Sequence, residues 1–161
     1  MAVSAAGRPG GGEPRGIDAY LERVREGLDR LDAHAARAAA AEGALLVDIR
    51  YQALRERDGL IPGALVVERN ELEWRLDPDG SHRLPEATDH GLTVIVICNE
   101  GYASSLAAAE LQRIGLPRAT DLIGGFQAWR SAGLPVERGH DLGQGQGQGQ
   151  GHDQGQDQGQ D

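Results

Sequence analysis

The chain has 161 residues, enough for one domain with tails. It carries 25 acidic residues against 16 basic ones, all arginine, for a formal charge of −9. That balance argues against general nucleic-acid binding, which relies on a basic surface, and a single cysteine excludes an internal disulfide framework or a multi-cysteine metal site.

Residues 1–16 are rich in Gly and Pro with almost nothing to bury, and read as disordered. Met1 to Pro14 lacks the apolar segment of a secretory signal, which points to a cytoplasmic protein whose thiol stays reduced. Ile17 to Leu31 has the clearest helical pattern. Ile17, Tyr20, Leu21, Val24, Leu28 and Leu31 share one face, opposite Asp, Glu and Arg, and Gly27 weakens the helix a little. This is an extra N-terminal helix, over 17–34, that packs on or covers the domain at 35–139.

Ala35 to Glu42 forms a second helix closed by Gly43. Ala44 to Ile49 reads as a buried strand, interrupted by Asp48, which can bridge to Arg50. Tyr51 to Arg57 is a short helix or turn, Asp58-Gly59 breaks it, and Leu65 to Val67 is a short strand. Asn70 is placed to cap a helix over Glu71 to Leu76. Ser81 to Leu92 is polar loop.

Thr93 to Cys98 is a continuous apolar strand, of the kind buried on both faces of a parallel sheet. A bilayer span needs about 20 apolar residues, so no membrane partner is expected from so short a run. A helix follows over Ser104 to Ile114, with Ala103, Ala107, Leu111 and Ile114 along one stripe and Gly115 as its stop. Ala119 to Ile123 is the last strand and Phe126 to Ala132 the last helix. Residues 140–161 form a Gly/Gln/Asp tail without the apolar content to fold. The five histidines, including His140 and His152 by the tail, show no metal-binding spacing, so no metal is expected.

Alternating strands and helices from Gly43 onward imply an α/β fold with a mostly parallel sheet and helices on both faces. Sites in such sheets lie beyond the carboxyl ends of the strands, where Cys98 stands. A lone cysteine after a strand has two readings: a buried structural thiol, or a thiolate favoured by loop N–H groups and a helix start.

Four ordered segments bear on that choice: L-L-V-D-I-R at 45–50, I-P-G-A at 61–64, C-N-E-G-Y-A-S-S at 98–105 and G-G-F-Q-A-W at 124–129. Together they resemble the rhodanese-like domain, a sulfurtransferase family, over roughly residues 36–137. The resemblance implies a single domain with about five parallel strands flanked by helices. It implies Cys98 as nucleophile, with Asn99, Glu100, Gly101, Tyr102, Ala103 and Ser104 as its cradle. It further implies a Cys98 persulfide, filled by thiosulfate, a thiosulfonate or a persulfide and emptied by cyanide, a thiol or a protein cysteine, with no cofactor.

The sequence departs from the family pattern. The family often has arginine or threonine at the position of Ala103, and Glu100 puts a carboxylate where it would repel dianionic thiosulfate. Leu60 stands where histidine is common. Arg55 is the nearest candidate for an anion-binding arginine, ahead of Arg69 and Arg75. These departures leave open a second reading, a catalytically weak sensing or protein-interaction module. A related phosphatase chemistry needs arginine six residues after the cysteine, where this chain has Ser104.

Overall fold

The computed structural model describes residues 12–138. The expected Gly/Gln tail and most of the expected N-terminal disordered stretch lie outside that range. In chain order the elements are α1 (Ile17–Arg25), α2 (Ala33–Ala41), β1 (Leu45–Asp48), α3 (Gln52–Asp58), β2 (Leu65–Val66), α4 (Leu72–Leu76), β3 (Val94–Ile97), α5 (Ala103–Arg113), β4 (Ala119–Asp121) and α6 (Gly125–Ser131). The strands form one parallel sheet in the order β2-β1-β3-β4. Among the described residues there are four strands, where about five were expected. Beyond β4 the next position is held by a single parallel bridge between Leu31 and Leu122.

The β3 sequence explains the layers. In a strand, successive side chains point to opposite faces. Val94, Val96 and Cys98 join one core with Leu28, Val47, Leu72, Leu76, Ala107, Ala108 and Leu111. Ile95 and Ile97 join the other with Ala33, Ala36, Leu46, Leu122, Phe126 and Trp129. Both faces of β3 are covered, so an unbroken apolar run is what the position requires. Cys98, the next residue, falls at the strand's carboxyl end on the α5 side.

Three expectations change. The helix expected over 17–31 ends at Arg25, where Glu26, Gly27 and Leu28 donate to carbonyls three residues back and tighten the last turn. The apolar spacing continues because Leu28 still enters the core. Leu31 instead joins the sheet edge, its N–H donating to the Asp121 carbonyl and its carbonyl accepting from Ile123. Asn70 makes no side-chain cap; a 3-10 turn over Arg69–Glu71 leads into α4. On α5 the buried positions are Ser104, Ser105, Ala107, Ala108 and Leu111, while Ala103 and Ile114 are exposed.

The Asp48–Arg50 pair is buried at the end of β1, both side chains fully shielded. Arg50 donates through Nε and Nη2 to the Asp48 carboxylate and through Nη2 to the Gly59 carbonyl. Its guanidinium also lies 3.7 Å from the centre of the Phe126 ring. The pair ties β1 to the α3 exit and to α6. Leu60 exchanges backbone hydrogen bonds with Glu137, securing the end of the described chain.

Candidate active site

Cys98 is 8% exposed and opens the loop between β3 and α5. Its Sγ accepts hydrogen bonds from the backbone N–H groups of Gly101 at 3.1 Å and Ser104 at 3.4 Å. The thiol donates to Ser104 Oγ at 3.2 Å, and that hydroxyl donates to Asp121 Oδ2 at 2.8 Å. The Ser105 hydroxyl donates to the same oxygen at 2.8 Å. The sulfur therefore sits at the amino end of an 11-residue helix, with two N–H groups directed at it. Both features favour negative charge there.

The loop is shaped by close backbone packing. Gly101 adopts φ +85°, and a Cβ there would stand 2.7 Å from the Gly124 nitrogen. Gly125 adopts φ +59°, and a Cβ there would come within 2.5 Å of the Cys98 carbonyl oxygen and 2.8 Å of the Glu100 nitrogen. Only glycine fits both the dihedral and the space. With that approach open, the Phe126 and Gln127 N–H groups donate to the Cys98 and Asn99 carbonyls. The G-G-F-Q-A-W segment is thus the seat of the cysteine loop.

A cleft of about 250 Å³ opens at the sulfur. Ile49, Tyr51, Leu54, Tyr102 and Ala103 line much of it, with Arg50, Arg69, Asn99 and Glu100. Asn99 Oδ1 accepts from Gln127, which also donates to Asp58. Asp58 in turn is paired with Arg57 and Arg130, and its carboxyl is held well below the usual range, first by the Arg57 hydrogen bond and also by that of Gln127. Glu100 and Tyr102 are exposed at the cleft.

Cys98 and the predicted loop residues Asn99 to Ser104 thus stand together. Arg55 stands apart: its guanidinium donates to the Arg50 carbonyl and reaches Glu68 at 3.5 Å, outside the cleft lining. Arg69 is the exposed-side arginine of the cleft, paired with Glu73 at 2.7 Å. Arg75 donates to the His82 carbonyl. Sequence reasoning gave no sign that Asp121, Arg25 and Arg30 would hydrogen-bond to the 98–105 segment, or that Ser105 would join them. Asp121 read as one residue of a short strand, and the two arginines as the polar side of a helix. No local spacing connects either to the cysteine. Away from the site, potential ligand atoms of Asp77, Asp79 and His90 lie within 4.8 Å of one another, a grouping that histidine spacing did not signal.

The site is thus a shielded cysteine held by amides at the carboxyl end of a parallel α/β sheet. The sequence pattern of the rhodanese-like domain family matches residues 30–132, and the chain belongs to that family. It is 37% identical over 100 residues to a sulfurtransferase of Allochromatium vinosum, covering 62% of this chain and 84% of that one. It is 32% identical over 96 residues to the thiosulfate sulfurtransferase GlpE of Actinobacillus pleuropneumoniae serotype 3, covering 60% and 80% respectively. Among solved structures, a protein of unknown function from Rhodopseudomonas palustris, described as a possible tyrosine phosphatase, superposes with a TM-score of 0.69 at 34% identity. It covers 81% of this chain and all of that one.

Proposed function

We propose that this protein is a sulfurtransferase that carries sulfane sulfur as a persulfide on Cys98. The observation that carries the reading is the cradle: Gly101 and Ser104 N–H groups on Sγ, at the amino end of α5. The names of the relatives point the same way.

The chemistry follows from the parts. The Cys98 thiolate attacks the outer sulfur of a donor such as thiosulfate, a thiosulfonate or a persulfide. The donor's S–S bond breaks, its remainder leaves with the bonding pair, and Cys98 holds the transferred sulfur. A thiophilic acceptor (cyanide, a small thiol or a protein cysteine) attacks that terminal sulfur, and the thiolate is released. Loop amides that favour the thiolate also favour the persulfide anion. Asn99, Glu100, Gly101, Tyr102, Ala103 and Ser104 frame the incoming donor. Arg69 lines the cleft and is better placed than Arg55 to meet an anionic group. No cofactor is needed for either step, and a reducing cytosol suits a free thiol.

The phosphatase description of the Rhodopseudomonas relative finds no support in this loop. The sixth residue after Cys98 is Ser104, so the loop does not close on the arginine that phosphatase chemistry requires there. Incubation with sulfane donors followed by intact-mass measurement tests the sulfurtransferase reading. The expected result is one added sulfur atom, removed by cyanide and absent in Cys98→Ser. A wild-type mass unchanged by every donor contradicts it.

A further inference from the structure

Residues 98–105 contain no arginine and one carboxylate, Glu100. Two guanidiniums nevertheless reach this loop, from a segment far away in sequence. Arg25, in the last turn of α1, donates through Nη2 to the Gly101 carbonyl at 2.7 Å and through Nε to Ser105 Oγ at 3.0 Å. It also lies 5.7 Å from the centre of the Tyr102 ring. Arg30 donates through Nη2 to the same Gly101 carbonyl at 3.0 Å. Through Nε and Nη2 it grips the fully buried Asp121 carboxylate at 2.8 and 3.2 Å. That carboxylate receives the Ser104 and Ser105 hydroxyls.

We propose that Arg25 and Arg30 are positioning residues of the Cys98 site, making the 17–31 segment a working part of it. The inference rests on the nucleophilic role given to Cys98 above. Gly101 has the broadest backbone freedom of any residue type, and its N–H is one of the two that hold the sulfur. Two cationic donors on its carbonyl fix the following peptide. Because that peptide is planar and trans, the Tyr102 N–H points away from the arginines. Arg30 neutralises Asp121, which would otherwise place an unpaired buried charge two hydrogen bonds from the sulfur. Arg25 has no carboxylate within salt-bridge distance among the described residues, so its charge is left to act on the loop. It opposes the field of Glu100 and favours an anion on Cys98. The loop's own sequence supplies no cation; Arg50, paired with Asp48, and Arg69, paired with Glu73, line the cleft from other segments, and α1 adds Arg25. Arg25 also lies before the 30–132 span that matches the family.

Arg25 gives the cleaner test, since removing Arg30 would also strand Asp121. The rate of Cys98 alkylation by iodoacetamide, a neutral reagent, is followed against pH for the full chain, Arg25→Gln and Arg25→Lys. Thermal unfolding is measured in parallel. In Arg25→Gln the rising limb of the profile moves to higher pH by about half a unit to one unit, with roughly three- to tenfold slower reaction at neutral pH. Arg25→Lys, which keeps the charge, recovers much of the loss. A folded Arg25→Gln with the wild-type profile overturns the proposal, as does an Arg25→Lys folded like wild type but no better than Arg25→Gln. If Arg25→Gln fails to fold, Arg25→Met, which keeps much of the apolar stem and drops the charge, takes its place: a rising limb moved to higher pH in that folded variant supports the proposal, and a wild-type profile overturns it. Alkylation does not require sulfur transfer. A wild-type protein that takes up no sulfur yet shows the Arg25 effect therefore contradicts the proposed activity and leaves the positioning role standing.

Discussion

At the level of single residues, the site joins one shielded sulfur to a set of donors and charges of known geometry. Glu100 is the residue whose sign runs against the chemistry. It is exposed at the cleft, so its repulsion is screened but not removed. Glu100→Gln should raise the rate of sulfur uptake from dianionic thiosulfate by a larger factor than from an uncharged organic donor. Parallel rate measurements with the two donors check this, and equal gains would refute an electrostatic effect. The loop motif made Cys98 and its neighbours legible in the sequence, because consecutive residues of one turn must sit together. Asp121, Arg25 and Arg30 were not legible. Their side chains meet the loop only after β4 pairs with β3 and α1 packs on α5, and those contacts leave no periodic signal.

At the level of elements, the cysteine loop depends on α6 as much as on α5. The tight fit at Gly125 lets the Phe126 and Gln127 N–H groups take the Cys98 and Asn99 carbonyls. Gly125→Ala would combine a positive φ, disfavoured for alanine by about 1–2 kcal/mol, with a clash against the loop backbone. Sulfur uptake should fall sharply, and thermal unfolding should show a drop of at least that size. Retention of both would mean that the loop has another seat. The order of strands and helices was readable because β3 is apolar on both faces and α5 is bounded by a loop and Gly115. The end of α1 was not. Leu28 and Leu31 keep helical spacing while serving two other purposes, one in the core and one at the sheet edge.

Across the whole molecule, the sheet brings Cys98 to its carboxyl edge, and the surrounding segments close around it. On another part of the surface, His90 links the 77–90 loop to the end of α5, pairing through Nε2 with Asp79 at 2.9 Å and through Nδ1 with the Gly115 carbonyl at 2.8 Å. The Asp79 contact first, then that carbonyl, raises its pKa. A group whose folded pKa is raised stabilises fully below its unfolded value, about 6.5 for histidine, and loses that contribution as pH rises through the folded value. His90→Gln should therefore lower the unfolding midpoint more at pH 5.5 than at pH 9, as a pair of thermal melts would show. A larger loss at alkaline pH would contradict the assignment. The central claim, that Cys98 itself carries the sulfur, is tested most directly by a single turnover. The protein is loaded with a sulfane donor, freed of excess reagent and mixed with cyanide. The expected result is one equivalent of thiocyanate per loaded chain, with the mass returning to that of the free thiol, and none from Cys98→Ser. Thiocyanate released equally by Cys98→Ser, or a loaded wild type that surrenders no sulfur, would contradict it.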